Sequence, residues 1–132
     1  MIFLTVCTHR RQPWLSDHQV HHQLKSVWHE TTDWKIGDYL LMPDHLHVFA
    51  WPGFGKLTAD LWVKVWKSRL SLLHDNRSHR WQAGSFHHRI RSYESAEEKR
   101  TYMTMNPVRA GLVSDPSLWP YRGEIFRGFV WW

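Results

Sequence analysis

Two apolar, β-prone runs separated by one Pro-Asp pair most narrowly limit how this chain can fold. Residues 34–42, Trp34-Lys-Ile-Gly-Asp-Tyr-Leu-Leu-Met42, and residues 45–51, His45-Leu-His-Val-Phe-Ala-Trp51, flank Pro43-Asp44. Proline presets the backbone for a turn and aspartate favours turn positions, so the two runs predict antiparallel strands joined by a tight turn. Leu40, Leu41, Val48 and Phe49 make the pair too apolar for a solvated edge, which predicts a buried central strand. Pro52-Gly53-Phe54-Gly55 then breaks the second run.

The remaining elements follow from the same reasoning. Residues 2–8 are short and apolar and predict a first strand, closed off by Pro13. Ser16 or Asp17 can cap a helix to about Thr31, with Val20, Leu24 and Val27 on one face. A second helix is expected over about 57–75, with Leu61, Val65 and Leu72 as its apolar stripe, Trp62, Trp66 and Leu73 beside it, and Lys64, Lys67 and Arg69 on its polar face. Residues 82–91 alternate through Phe86, His88 and Ile90, which predicts a fourth strand. Ser95-Ala-Glu-Glu98 reads as a capping box that opens a third helix, ending near Gly111. Residues 112–132 carry no periodicity that assigns them. The order βαββαβα predicts an α+β fold, a ferredoxin-like sandwich with an antiparallel sheet, helices packed on one face and the other face free as a working surface. With 132 residues and no linker or repeat, the chain is expected to form one domain over 1–132.

Composition narrows the chemistry. The lone cysteine, Cys7, excludes a disulfide framework and a Cys-based zinc site. The start lacks the basic and long apolar regions of a signal peptide, and no stretch approaches the ~18 apolar residues of a membrane span. A cytoplasmic protein with no membrane partner is therefore expected. Lys and Arg number 17 against 12 Asp and Glu, a net charge of +5, which favours an anionic partner without choosing one. No phosphate-binding G-x-x-x-x-G-K-[ST] loop is present.

His45-Leu46-His47 is the first constellation with chemical content. In a strand, residues i and i+2 share a face, so both imidazoles project together while Leu46 turns into the core. Two neighbouring imidazoles are two corners of a divalent-metal site. The plainer reading, two polar residues on a wet sheet face, is weakened by the apolar flanks, where polar groups need a partner. Tyr102 and Asn106 form the second constellation, one turn apart on the third predicted helix. A phenol is a nucleophile and an amide oxygen is a hard ligand suited to Mg or Mn. Their plainer reading is a half-buried tyrosine and an asparagine favoured before Pro107. Combined, the pieces supply three ligands and one nucleophile for attack on a phosphodiester. A phenolate is also a fair leaving group, so the transfer is reversible and needs no ATP.

At these residues the sequence resembles the single-tyrosine HUH transposases, in particular the REP-associated tyrosine transposases. The resemblance is carried by Tyr39-Leu-Leu-Met-Pro-Asp-His-Leu-His-Val-Phe49, Arg80-Trp-Gln82 with Arg89-Ile-Arg91, Tyr102-Met-Thr-Met-Asn-Pro-Val-Arg-Ala-Gly-Leu-Val113 and Trp119-Pro-Tyr121, in family order over about residues 2–121. It implies that His45, His47 and Asn106 bind a divalent metal, Mg or Mn, and that Tyr102 is the nucleophile. Related insertion-sequence transposases usually carry Gln at the third ligand position. The implied substrate is single-stranded DNA beside an imperfect palindromic hairpin, cleaved to a 5′-phosphotyrosine and a free 3′-hydroxyl in DNA transposition. Relatives act as monomers or as homodimers that exchange the tyrosine helix. Members usually carry residues ahead of the first strand that read a guide sequence, whereas this sequence starts at the strand itself.

Arg is the commoner cation, 11 against 6 Lys, which suits bidentate phosphate contacts and stacking on bases. Arg10, Arg11, Lys64, Lys67, Arg89, Arg91 and Arg109 are the candidate DNA contacts, provided they converge. Most of the ten Trp are expected in the core, including Trp28, Trp62 and Trp66, while Trp14, Trp81, Trp131 and Trp132 are the candidate stacking platforms. Two other readings compete with the enzyme. One is a non-catalytic, decayed or domesticated module that binds hairpin nucleic acid. The other is a small metal-binding protein, disfavoured by the basic charge and by the lack of Cys or carboxylate ligands at metal spacing.

Overall fold

The computed structural model describes residues 1–129. Trp131 and Trp132, two of the candidate stacking platforms, lie outside the described residues. The elements are β1 (Ile2–Cys7), a short 3-10 turn (His9–Arg11), α1 (His18–Glu30), β2 (Trp34–Leu41), β3 (His45–Pro52), α2 (Ala59–Leu73), β4 (Phe86–Arg89), α3 (Tyr93–Arg109), a second 3-10 turn (Pro116–Leu118) and β5 (Arg122–Glu124). The five strands form one sheet in the order β4-β1-β3-β2-β5, and every pairing is antiparallel.

The Pro-Asp pair does what its chemistry dictates: Met42 N donates to His45 O at 2.8 Å across the turn. β3 sits at the centre of the sheet between β1 and β2. Leu46, Val48 and Ala50 are wholly buried on one of its faces, against α1 and α2. There Val20, Leu24, Val27 and Trp28 of α1 meet Trp62, Val63, Trp66 and Leu70 of α2. Trp28 and Trp66 cross edge to face at 5.7 Å. Each such ring excludes a large apolar area from water, so this layer carries much of the driving force for folding.

α1 and α2 thus cover one face, as a ferredoxin-like unit requires. α3 lies across the other face, the one expected to be free. Ala96, Met103 and Pro107 form its buried stripe. Ala96 and Met103 pack with Phe3, Leu40, Met42, Phe49, Ile90 and Trp119. That stripe sets the rotation of α3, and the rotation decides which residues face the sheet's histidines.

Several local expectations need correction. On α2 the buried stripe is Ala59, Trp62, Val63, Trp66, Lys67 and Leu70, while Leu61, Leu72 and Leu73 are exposed, because the larger tryptophans take the core. α3 opens two residues before Ser95, capped by the Ser92 hydroxyl, which accepts from Ser95 N at 3.2 Å. Trp14 is buried in the core and Trp81 packs partly buried against it, so neither is a free platform. The unassigned tail folds back onto the sheet. The Trp119 indole donates to Leu41 O at 2.8 Å, and β5 pairs with β2.

Candidate active site

β3 presents His45 and His47 on the α3 side of the sheet, with ring centroids 4.9 Å apart. β1 supplies their neighbours, because Thr5 pairs with His47 and Cys7 with His45. Thr5 Oγ1 lies 2.9 Å from His47 Nδ1, and the Phe3 ring stacks on His47 at 5.0 Å. His45 Nδ1 lies 2.7 Å from Asp44 Oδ1. Asp44 Oδ2 in turn accepts from Arg11 Nε at 2.9 Å, and Arg11 Nη1 donates to Cys7 Sγ at 3.0 Å. Arg10 and Arg11 both adopt the left-handed backbone, φ 53° and 56°, a conformation that costs an L-residue about 1–2 kcal/mol. The strained turn aims the Arg11 guanidinium at Asp44.

The Asp44 contact decides the tautomer of His45. Burial works against a charged Asp44, but the hydrogen bonds and charge of His45 and Arg11 outweigh it and hold the carboxyl below its usual range. An ionised Asp44 only accepts, so His45 carries its proton on Nδ1 and leaves the Nε2 lone pair open. His47 Nδ1 faces the Thr5 hydroxyl, which can donate or accept, so Nε2 is the nitrogen left toward the site. Burial lowers the pKa of His45 although Asp44 opposes it. Burial, reinforced by His45, Lys99, Arg109 and Arg11, pushes His47 down to about 3. Both imidazoles are therefore neutral at pH 7, the form that ligates metals.

α3 brings the remaining pair. The Asn106 amide meets His45 Nε2 at 3.3 Å through Nδ2, and a half-turn of the amide would present Oδ1 to the same point. The Tyr102 ring lies 6.3 Å from the His47 ring and is 53% exposed. The Arg109 guanidinium sits 4.1 Å above the Tyr102 ring, and Nη2 donates to Tyr102 O at 2.7 Å. Tyr102, Asn106 and Arg109 follow the i, i+4, i+7 spacing of one helical face.

The donor set fits a hard divalent cation: two neutral imidazoles with outer partners fixed, beside an amide. Among the described residues no group of three or more His, Cys, Asp or Glu could hold a metal; the further hard donor beside the two imidazoles is the Asn106 amide.

The candidate cations divide. Arg11 and Arg109 reach the site, and Arg10 lies exposed in the same turn as Arg11. Arg91 is exposed just ahead of α3. Arg89 pairs with Ile2, whose side chain belongs to the opposite face of the sheet. Lys64 is exposed on α2, also across the sheet. Lys67 is not a surface charge at all: it is 9% exposed, and its ammonium donates to Gln82 O at 3.0 Å and Gly84 O at 2.7 Å. Sequence reasoning missed Thr5, Asp44 and Phe3. Pairing the first predicted strand with the third would have found Thr5, and Asp44 stands in the turn directly before His45.

A solved structure described as the REP-associated tyrosine transposase bound to a REP hairpin matches this fold with a TM-score of 0.78, covering 92% of this chain and 74% of that one at 22% identity. At that identity the likeness establishes the fold. No family model matches the sequence, and no curated protein matches it. Among the described residues no helix is long and apolar enough to cross a membrane.

Proposed function

We propose that this protein is a metal-dependent single-strand DNA endonuclease and strand transferase that acts beside hairpin sequences through Tyr102, as one transposase domain. The observation that carries the reading is the meeting of α3 with β3: Tyr102 and Asn106 both face the His45–His47 pair. The fold match to a hairpin-bound tyrosine transposase supports the choice of DNA as the anionic partner. The working unit is a monomer or a homodimer that exchanges the tyrosine helix. The single buried, free thiol of Cys7 suits a cytoplasmic setting.

His45 Nε2, His47 Nε2 and Asn106 Oδ1 would hold Mg or Mn, which when bound supplies Lewis-acid neutralisation of the scissile phosphate. The chain's own residues do the rest. The Tyr102 oxygen forms a bond to phosphorus as the bond to the 3′ oxygen breaks. The phenol proton leaves to solvent, the departing oxygen gains a proton, and a 5′-phosphotyrosine and a free 3′-hydroxyl result. Attack of a 3′-hydroxyl on the phosphotyrosine reverses the exchange and restores the phenol. Arg109 holds the Tyr102 ring in place and sets a positive charge beside the approaching phosphate.

The test is direct. With single-stranded DNA flanking a hairpin and Mg or Mn present, a covalent protein–DNA adduct is expected, lost in Tyr102→Phe and in His45→Ala. Tight hairpin binding with no adduct under either metal contradicts the enzyme and leaves the non-catalytic binding module.

A further inference from the structure

We propose that Phe86 is a stacking platform for an unpaired base close to the scissile phosphate; this rests on the reading of Tyr102 as a nucleophile toward single-stranded DNA. Phe86 opens β4, the edge strand beside β1. It pairs with Thr5, and Thr5 pairs with His47 on its other side. Residues directly opposite in neighbouring strands point to the same face, so Phe86, Thr5 and His47 form one row across three strands. At a strand spacing of ~4.8 Å, Phe86 stands about 10 Å from His47. A stacked strand with a ~3.4 Å rise covers that distance in about three nucleotides.

The row explains an otherwise costly feature. Phe86 is 60% exposed on a free strand edge, where aromatic surface invites association, while the rest of β4 is His87, His88 and Arg89. Beside Phe86 and His88, β1 contributes Thr5 and the buried Phe3 to the same sheet face. α3 adds Lys99, whose ammonium lies 5.7 Å from the Phe3 ring centroid, and the half-exposed Tyr102. An aromatic face on one side and a cation beside the nucleophile on the other match a nucleotide, whose base stacks and whose phosphate is anionic. Other candidates carry less. The His74–His79 pair is closed on itself, with Gln23 and Asn76 occupying the outer ring nitrogens.

The cut position is first mapped from the adduct, and 2-aminopurine is then placed at each of the three nucleotides on either side of it. Binding is read with the full chain in EDTA, so that no cleavage occurs. At one position the fluorescence should be quenched by the wild-type protein and by Phe86→Trp, and not by Phe86→Ala. The affinity of Phe86→Ala should fall about tenfold, with Phe86→Trp within about threefold of wild type. Because the side chain is largely exposed, Phe86→Ala should keep the wild-type thermal midpoint, which shows that the loss is not unfolding. Unchanged quenching and affinity in Phe86→Ala, with adduct formation intact, overturn the platform alone. A dimer in sedimentation that Phe86→Ala dissociates, without any effect on quenching, assigns the edge to a second copy and also overturns it. If the wild-type protein neither binds these strands nor forms an adduct, the parent reading falls first.

Discussion

The carboxylate of Asp44 accepts the Nδ1 proton of His45 at 2.7 Å while Arg11 holds its other oxygen at 2.9 Å. This relay fixes which nitrogen of His45 faces Asn106. Asp44→Asn keeps the shape but lets the side chain donate, so the tautomer is no longer enforced. Manganese affinity, read by calorimetry or by the loss of free-ion paramagnetic signal, should fall about 10–100-fold. Arg11→Ala should produce a smaller loss in the same direction. Unchanged affinity in Asp44→Asn would show that the relay does not orient the ligand.

The acid side of the stability profile should be steep. Burial, followed by the nearby Lys25, His18 and His22, lowers the pKa of His21 to about 4, and His47 lies near 3. Unfolded imidazoles titrate near 6.5, so below that pH the unfolded chain binds more protons than the folded one. Stability is therefore complete above about pH 6.5 and falls as the pH drops toward the folded values. The metal-free protein's urea midpoint should be flat between pH 7 and 8 and decline from pH 6.5 to 4.5. His21→Leu should flatten that decline. At pH 7.5 it should cost about 1–3 kcal/mol, because the hydroxyl of buried Tyr39, 2.7 Å from His21 Nε2, loses its acceptor.

Lys67 and Arg109 should separate stability from binding. Lys67→Met leaves two loop carbonyls without their donor, and the expected outcome is a loss of about 1–3 kcal/mol in stability with no change in the salt dependence of DNA binding. Arg109→Ala should do the reverse. Its fold should survive, while the slope of log affinity against log salt should shrink by ~0.7, the value of one phosphate contact on a single strand. A salt slope altered by Lys67→Met would return that residue to the DNA interface.

How legible each part was in the sequence depends on how local its cause is. The His45–His47 face was readable because a period of two admits one arrangement, with Leu46 and Val48 opposite. The α2 stripe was not, because apolar residues occur on more than one side of that helix. Spacing alone could not rank Leu61 against Trp62, and only the packed core shows that Trp62 and Trp66 fill it. Lys67 was misplaced for the same reason, since it follows Trp66 on the stripe that turned inward. The cap of α3 was read at Ser95, but Ser92, three residues earlier, is the serine that caps it. β5 has no local signal: it exists because Trp119 anchors the tail to Leu41 and brings residues 122–124 beside β2. Tyr102 and Asn106 were legible as a pair, whereas Thr5 and Asp44 needed the pairing of β1 with β3 and the turn geometry.

The central claim is that the Tyr102 oxygen becomes bonded to the 5′ phosphate of a hairpin-flanking strand. Nuclease trimming of the adduct followed by trypsin and mass spectrometry tests it most directly, because cleavage after Arg100 and Arg109 isolates residues 101–109. The account predicts that this peptide carries the added nucleotide, that fragmentation places it on Tyr102, and that Tyr102→Phe yields none. A nucleotide mapped to Tyr93, Tyr121 or any other residue, or an adduct that persists in Tyr102→Phe, would contradict it.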